Sequence, residues 1–417
     1  MKSLEGVRVL DFLWAGAGAW GSRYLASYGA EVIRIEWIGH PDGMRYGSPS
    51  WPMPDGSAPK TPEDKADRAG HFQNVNPGKF GISLNMRHPE GKRLFKKLLP
   101  HGDVVADNFT APTMTSWGFP YHEMIKYRPD LIYLQSSGFG WHGPYRDYKS
   151  WGPVAAAVGG ITYMGGLPDD FPTGFGNSFM DVQGGWFGTL LLMAALRVRE
   201  RTGKGQFIDL AQSGAALMLT GTALLDYAAN GRTYQRRGNR PHGRPAAPYG
   251  LYPCAGDEQW IAIDCPEEAH WRSLVEVMGE PEWADDARFA TLESRMKHAD
   301  ELDVALGAWT AGWDKYELMT RLQARRIPSG PVQTPADRVE RDPQLAHRDF
   351  FTTIPHVAMG SIRVERPAGR MSESPPYVGG LPDSGTPRYA QHNERVWGEL
   401  VGLSTAEMRR LQEEGVI

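Results

Sequence analysis

Apolar residues in the first third of the chain fall in short runs broken by glycine and charge. GVRVLDF (6–12) and AEVIRIE (30–36) read as buried strands, with SRYLASYG (22–29) between them as a helix ended by Gly29. The glycines of GAGAWG (16–21) read as the turn that joins the first strand to that helix. FGISLNM (80–86), a helix from Pro89 to Leu99, DVVADNF (103–109), a helix near 120–127 and LIYLQSSGFG (131–140) continue the alternation. Strand and helix in succession predict an α/β fold, a doubly wound parallel sheet with right-handed crossovers. Residues 38–78, rich in Pro, Gly and Asp, read as one long loop.

The pattern changes after Trp151. A glycine-rich apolar stretch ends in a helix from about Gly184 to Glu200, and RTGKGQFIDLAQ (201–212) reads as turn, strand and helix start. NGRTYQRRGNRPHGRPAAP (230–248) is basic and rich in Pro and Gly, the mark of a linker. GLYPCAGDEQWIAIDC (250–265) reads as two strands about a turn, and helical stretches follow to about Arg326. A second Pro-rich connection (327–344) precedes a last part that could rejoin the first domain. The expected organisation is a large domain of residues 1–229 and 335–417, with linkers and a smaller α+β domain at 230–334.

Composition narrows the function classes. The 417 residues carry a net charge of −4, without the basic excess that nucleic acid or an anionic membrane requires. TLLLMAAL (189–196) falls short of a membrane span and is followed by Arg197 and Arg199, and the N-terminus enters a strand without a signal-like leader, so a cytoplasmic protein is expected. Two cysteines, Cys254 and Cys265, cannot build a disulfide framework or a four-ligand zinc site.

Residues 16–21 match G-x-G-x-x-G between a strand and a helix, and Glu36 closes the next strand where a dinucleotide fold places its ribose-binding acid. A nicotinamide-dependent dehydrogenase is therefore one reading. The other is that Gly16, Gly18 and Gly21 permit a tight turn and close helix packing; Trp20 would crowd a pyrophosphate there. Asp181, before an apolar helix, fits a helix N-cap.

The order and spacing of LEGVRVLDF (4–12), GAEVIRIE (29–36), NPGKFGISLNM (76–86), GDVVADNF (102–109), SSGFGWHGPY (136–145), the Asp181 helix with RTGKGQ after it, AAPYGLYPC (246–254) and IPSGPV (327–332) cover nearly the whole chain. In these the chain resembles the class III coenzyme A transferases, of the formyl-CoA:oxalate and carnitine CoA-transferase type. The resemblance implies a Rossmann-like domain that holds coenzyme A instead of NAD, and an interlocked homodimer. It implies Asp181 as nucleophile: its carboxylate attacks an acyl-CoA, and an aspartyl anhydride and an aspartyl-CoA thioester follow. An ordinary aspartate is ionised at neutral pH and needs no activating histidine. Neither ATP, metal nor a permanently bound cofactor is called for; acyl-CoA, with succinyl-CoA a candidate, and a carboxylic acid are the expected substrates. Gly138 and Gly140, or Gly184 and Gly185, are candidate oxyanion donors.

Carried over by position, the coenzyme contacts fall on Gly16, Ala17, Asn76, Lys79, Asn108, Phe109, Ser137, Gly138, Phe139 and Gly140, with Arg45 a further phosphate candidate. Lys79 is the first choice for a phosphate, as a point charge. The chain departs from the formyl-CoA enzymes at three basic positions, which here are Trp37, Ser116 and Ser137, and lacks their glycine-rich loop at 240–250. The related α-methylacyl-CoA racemases need a histidine where this chain has Trp151, and indole cannot shuttle the proton. Eight tryptophans before residue 190 leave room for a bulky or aromatic acid acceptor. A CoA-binding subunit without its own chemistry, in a two-subunit transferase, is the remaining alternative.

Overall fold

The computed structural model describes residues 2–47 and 49–417. The chain divides into two compact units, Met1–Tyr163 with Gly174–Thr233 and Gln344–Ile417, and Met164–Thr173 with Tyr234–Pro343. Residues 164–173, expected in the large domain, go with the smaller unit.

The first unit holds six strands, β1 (Arg8–Phe12), β2 (Glu31–Glu36), β3 (Phe80–Ser83), β4 (Val104–Asp107), β5 (Ile132–Ser137) and β6 (Phe207–Ala211), paired in parallel in the order β3-β2-β1-β4-β5-β6. That order reverses between β1 and β4, the switch point at which open α/β sheets bind ligands. Its longer helices are α1 (Ala15–Ser27), α2 (Pro89–Leu98), α3 (Gly152–Val158), α4 (Phe179–Thr202), α5 (Gln212–Leu219) and α6 (Gly221–Asn230). Alternate residues of each strand feed opposite faces, as a strand's two-residue period requires. Val9, Val32 and Ile132 pack with Leu25 of α1 and Leu192 of α4, while Leu10, Ile33 and Val105 pack with Phe95 of α2 and with Trp397 and Leu411 from the end of the chain.

Three local readings change. GAGAWG is not a turn: helix starts at Ala15, and the glycines lie inside its first two turns. A Cβ on Gly21 would stand 2.5 Å from the Gly185 carbonyl oxygen, so these glycines let α1 and α4 touch backbone to backbone. The helix expected from Gly184 begins at Phe179, and at 24 residues it is by length and composition long and apolar enough to cross a membrane. Within the fold it buries Gly184, Gly185, Gly188, Leu192 and Ala195. The 38–78 loop contains three short helices, Gly43–Tyr46, Pro62–Ala66 and Gly70–Val75. A hairpin of β10 (Phe351–His356) and β11 (Gly360–Glu365) also belongs to this unit.

The second unit is α+β. Strands β7 (Tyr249–Pro253), β8 (Trp260–Asp264) and β9 (Ser329–Pro331) form an antiparallel sheet, and Ile261 and Ile263 pack with Leu274, Leu302, Leu306, Leu318 and Leu322 from helices Glu268–Met278, Ala299–Thr310 and Lys315–Ala324. Cys254 and Cys265 are free and buried here, and burial pushes the Cys265 thiol up to about 12.

Candidate active site

Strand β1 ends at the sheet's switch point, and the chain turns through Leu13, Trp14 and Ala15 into α1. Asn108, just after β4, clamps this turn at both sides of one residue: its Oδ1 accepts the Trp14 N–H at 2.8 Å and its Nδ2 donates to the Trp14 carbonyl at 2.6 Å. Asp42 Oδ2 accepts the Ala15 N–H at 2.9 Å. Ala15 is left-handed, φ 54°, a conformation that side chains other than glycine adopt at a cost.

Asp181 is the third residue of α4, within its first turn and not its cap. Its carboxylate lies where four helices begin. A Cβ on Gly16, second residue of α1, would stand 3.4 Å from Asp181 Oδ2, and one on Gly152, first residue of α3, 2.8 Å from Oδ1. The Gly152 N–H, the Ser178 hydroxyl and the side-chain amide of Gln212, first residue of α5, hydrogen-bond to the carboxylate. Burial pushes its pKa up to about 6, and those three hydrogen bonds offset part of the rise. Asp181 is therefore not the ordinary aspartate the sequence promised, although it stays largely ionised at pH 7. Gln212 is buried against Gly184, whose missing side chain makes the room: a Cβ there would stand 3.1 Å from Nε2. The sequence reading missed Gln212, because nothing in the order of residues places the start of α5 beside Asp181.

A cavity of about 440 Å³ opens at the carboxyl ends of β1 to β4. Phe12, Trp14, Trp37, Phe109 and Trp117 form aromatic walls, and His40, Arg87 and Lys149 bring cationic or titratable groups to it. Of the residues lining the cavity, Trp14 lies two positions before Gly16 and Lys149 three positions before Gly152, the glycines that face Asp181. Trp151, at the position a racemase gives to histidine, is 73% exposed and immediately precedes Gly152.

Several expected phosphate and coenzyme contacts are occupied internally. Arg45 is buried, bonded to Glu36 at 2.7 Å and to Asp67 at 3.3 Å, and stacked 4.0 Å from the Phe72 ring. Glu36 is correspondingly no ribose ligand: burial pushes it up, but Arg45 and Arg34 outweigh that and hold it at about 2. Lys79 is 0% exposed, with its ammonium on Ser22 Oγ (2.7 Å), Asn76 Oδ1 (2.8 Å) and Asp11 (3.2 Å). Burial lowers it to about 8, with Asp11 opposing. Arg45, Lys79 and Asn76 are thus enclosed and partnered within the fold, and none of the three presents an open polar group to a phosphate in this structure. Ala17 is buried in α1 against α4. Among the expected contacts, Phe109 lines the cavity.

In the loop after β5, Ser137 Oγ accepts the Gly140 N–H at 3.0 Å, the Gly138 carbonyl accepts the Ser213 N–H at 3.0 Å, and the Phe139 ring stands edge-on to Tyr145 at 5.8 Å. The Gly140 N–H is thus taken, and Gly184 and Gly185 sit within α4 where their N–H groups serve the helix. At the start of α1 the first N–H groups have no acceptor inside the helix, and the cap residue, Trp14, offers no side-chain acceptor. Among the described residues no cluster of His, Cys, Asp and Glu could hold a metal ion.

A crevice at the switch point of a parallel sheet, close to helix starts, is where open α/β folds bind nucleotide-like ligands. The chain belongs to CoA-transferase family III, whose family model matches residues 4–393. It is an enzyme that transfers coenzyme A, which removes the dehydrogenase reading of the glycine motif. It is 33% identical over 417 residues to the succinyl-CoA–D-citramalate CoA-transferase of Chloroflexus aurantiacus, covering 100% of this chain and 98% of that one. It is 29% identical over 419 residues to the beta subunit of the succinyl-CoA–L-malate CoA-transferase of the same organism, covering 99% and 98%. A crystal structure of a CAIB/BAIF family protein from Brucella suis superposes with a TM-score of 0.85 at 29% identity, over 96% of this chain and 99% of that one.

Proposed function

We propose that this chain moves CoA from succinyl-CoA, or another thioester of a dicarboxylic acid, to a carboxylic acid acceptor, and that Asp181 carries the acyl group. One observation bears most of the weight: the Asp181 carboxylate lies among the starts of four helices, beside a crevice of nucleotide size. The names of the two Chloroflexus relatives support succinyl-CoA as donor and a hydroxy diacid as acceptor. An aromatic acceptor rests on the tryptophans alone, and Trp14, Trp37 and Trp117 face the crevice proposed for coenzyme.

In the reaction, an Asp181 oxygen attacks the thioester carbonyl. A C–O bond forms, the C–S bond breaks, and CoA leaves as thiolate with an acyl–aspartyl anhydride behind it. The thiolate then attacks the aspartyl carbonyl, a C–S bond forms there, and the donor acid departs as its carboxylate. The acceptor carboxylate reverses both steps. The first attack puts negative charge on the thioester carbonyl oxygen and the second on the aspartyl carbonyl oxygen, and the N–H groups of Gly152 and of the first turn of α1, at the helix starts around Asp181, are the proposed donors to them. Arg87 and Lys149 are the proposed phosphate contacts at the crevice, in place of Arg45 and Lys79. The fold works as a cytoplasmic dimer in this reading. A second copy would cover the apolar groove of about 470 Å³ between α1 and α4, lined by Tyr24, Trp186, Leu190, Met193 and Met371.

The test is acyl exchange from succinyl-CoA to a panel of acids, with intact-protein mass spectrometry after incubation. A CoA adduct mapped to Asp181, and loss of both adduct and turnover in Asp181→Ala, are expected. Turnover surviving in Asp181→Ala would assign the chemistry elsewhere, including to a second chain.

A further inference from the structure

The left-handed residue at the entrance of α1 is the least comfortable backbone in the site, and two side chains from other elements hold it there. Asn108 fixes both polar groups of the Trp14 backbone. Asp42 follows β2, and its Oδ2 accepts the Ala15 N–H while also receiving Arg34 Nη2 at 2.5 Å, and its Oδ1 receives the Met44 N–H at 2.9 Å. Arg34 is in turn fixed by the Leu13 carbonyl at 2.9 Å and by Glu36 at 3.1 Å. Asp42 and Arg34 are 1% and 0% exposed, so the anchor is closed to water.

We propose that Asp42 is a positioning residue for CoA transfer: by accepting the Ala15 N–H it locks Ala15 in the left-handed conformation, so that the next N–H groups of α1, on Gly16 and Ala17, meet the oxygen that becomes negative at Asp181. The geometry supports each link. An α-helix leaves its first N–H groups unsatisfied, and in α1 the cap residue Trp14 supplies no side-chain acceptor. Asp181 Oδ2 lies 3.4 Å from the place a Gly16 Cβ would occupy, at that helix mouth. Asp42 removes the one N–H at the turn that would compete, that of Ala15, and fixes the direction of the rest. Strain held by surrounding structure at a reacting centre is a recurring way to preorganise donors.

This inference rests on the reading of Asp181 as acyl carrier, and the experiment separates the two. Ala15→Val, Ala15→Gly, Asp42→Ala and the Asp42→Ala/Ala15→Gly pair are assayed for kcat, for KM of succinyl-CoA and for Tm, with Asp181→Ala alongside. Valine resists the left-handed conformation, so Ala15→Val is expected to lower kcat about 100-fold with KM little changed, the scale of losing an oxyanion donor. Ala15→Gly alone is the reference against which the pair is read. Asp42→Ala lowers both kcat and Tm, since Arg34 also loses a partner. Glycine in that background is expected to restore kcat about tenfold while the Tm loss persists, because it adopts the turn without being held. An ion pair of purely structural importance would not respond to glycine at a different residue. If Asp181→Ala is inactive while Ala15→Val keeps kcat within about twofold of the parent, or glycine fails to rescue Asp42→Ala, the positioning role is overturned and the carrier role stands. If Asp181→Ala is itself active, the carrier reading falls first.

Discussion

In the proposed reaction Asp181 has to be ionised to attack, and its surroundings put that requirement inside the working range of pH. With a pKa of about 6, the carboxylate is about nine-tenths formed at pH 7 and about one-tenth at pH 5. kcat/KM should therefore fall about tenfold per unit as pH drops below about 6, in a pH–rate profile with succinyl-CoA. The Gln212 amide favours the ionised form, so Gln212→Leu is expected to move this acid limb to higher pH. An acid limb near the ordinary aspartate value in both proteins would mean that burial at 181 does not govern the reaction. Gly152 contributes by what it lacks. Its Cβ would come within 2.8 Å of Asp181 Oδ1, so Gly152→Ala must push the carboxylate from its donors. A kcat loss of about 10-fold or more is expected, with little change in Tm, since the displaced contact is local.

Among the elements, the contact of α1 with α4 carries Asp181 to Gly16. A Cβ on Gly185 would stand 3.0 Å from the Gly21 backbone nitrogen, and there is no flexible side chain to give way. Gly185→Ala should force the helices apart, cost about 1–3 kcal/mol in a denaturant titration, and lower turnover at the same time. Undiminished turnover with a lowered midpoint would show that the helix contact does not set the site. At the end of β2, Glu36 binds Arg34 and Arg45 in a buried network. Its folded pKa of about 2 lies below the ordinary 4.5, so it stabilises the fold at pH above 4.5 by about 3 kcal/mol, and that stability is lost as pH falls toward 2. Asp107, raised by burial to about 7, acts with the opposite sign: its contribution weakens the fold as pH rises from 3.8 toward 7. Glu36→Gln should flatten the acid branch of stability against pH and strand two arginines, costing about 3–5 kcal/mol at neutral pH.

For the molecule as a whole, α4, α5 and α6 leave Leu190, Met193, Met218, Leu225 and Tyr227 exposed, large apolar side chains of the kind that a partner surface covers. Equilibrium sedimentation at micromolar concentration should report about twice the 46.3 kDa chain mass. A mass of one chain would leave these faces without the second copy proposed for them. Strand and helix types in the first unit were legible from apolar spacing alone, because a buried parallel strand must be apolar on both faces and a crossover helix on one. Family membership was legible as well, from motifs spread along nearly all 417 residues. The GAGAWG reading shows where local pattern stops: glycines that permit a turn are the same glycines that permit two helices to touch, and only the partner helix decides between them. Charge shows it again. A lysine or arginine in a loop-like stretch looks available to phosphate, but Lys79 meets Asp11 of the first strand, and Arg45 is closed in by Glu36, Asp67 and the Phe72 ring. Sequence alone therefore determined the sheet and the family, properties that reside in local composition and order, and it supplied Asp181 as the carboxylate proposed for the chemistry. Tertiary structure decided which cations face the crevice, how far the Asp181 pKa rises and which N–H groups meet it, because burial and electrostatic contact depend on distances between residues the chain brings together only on folding.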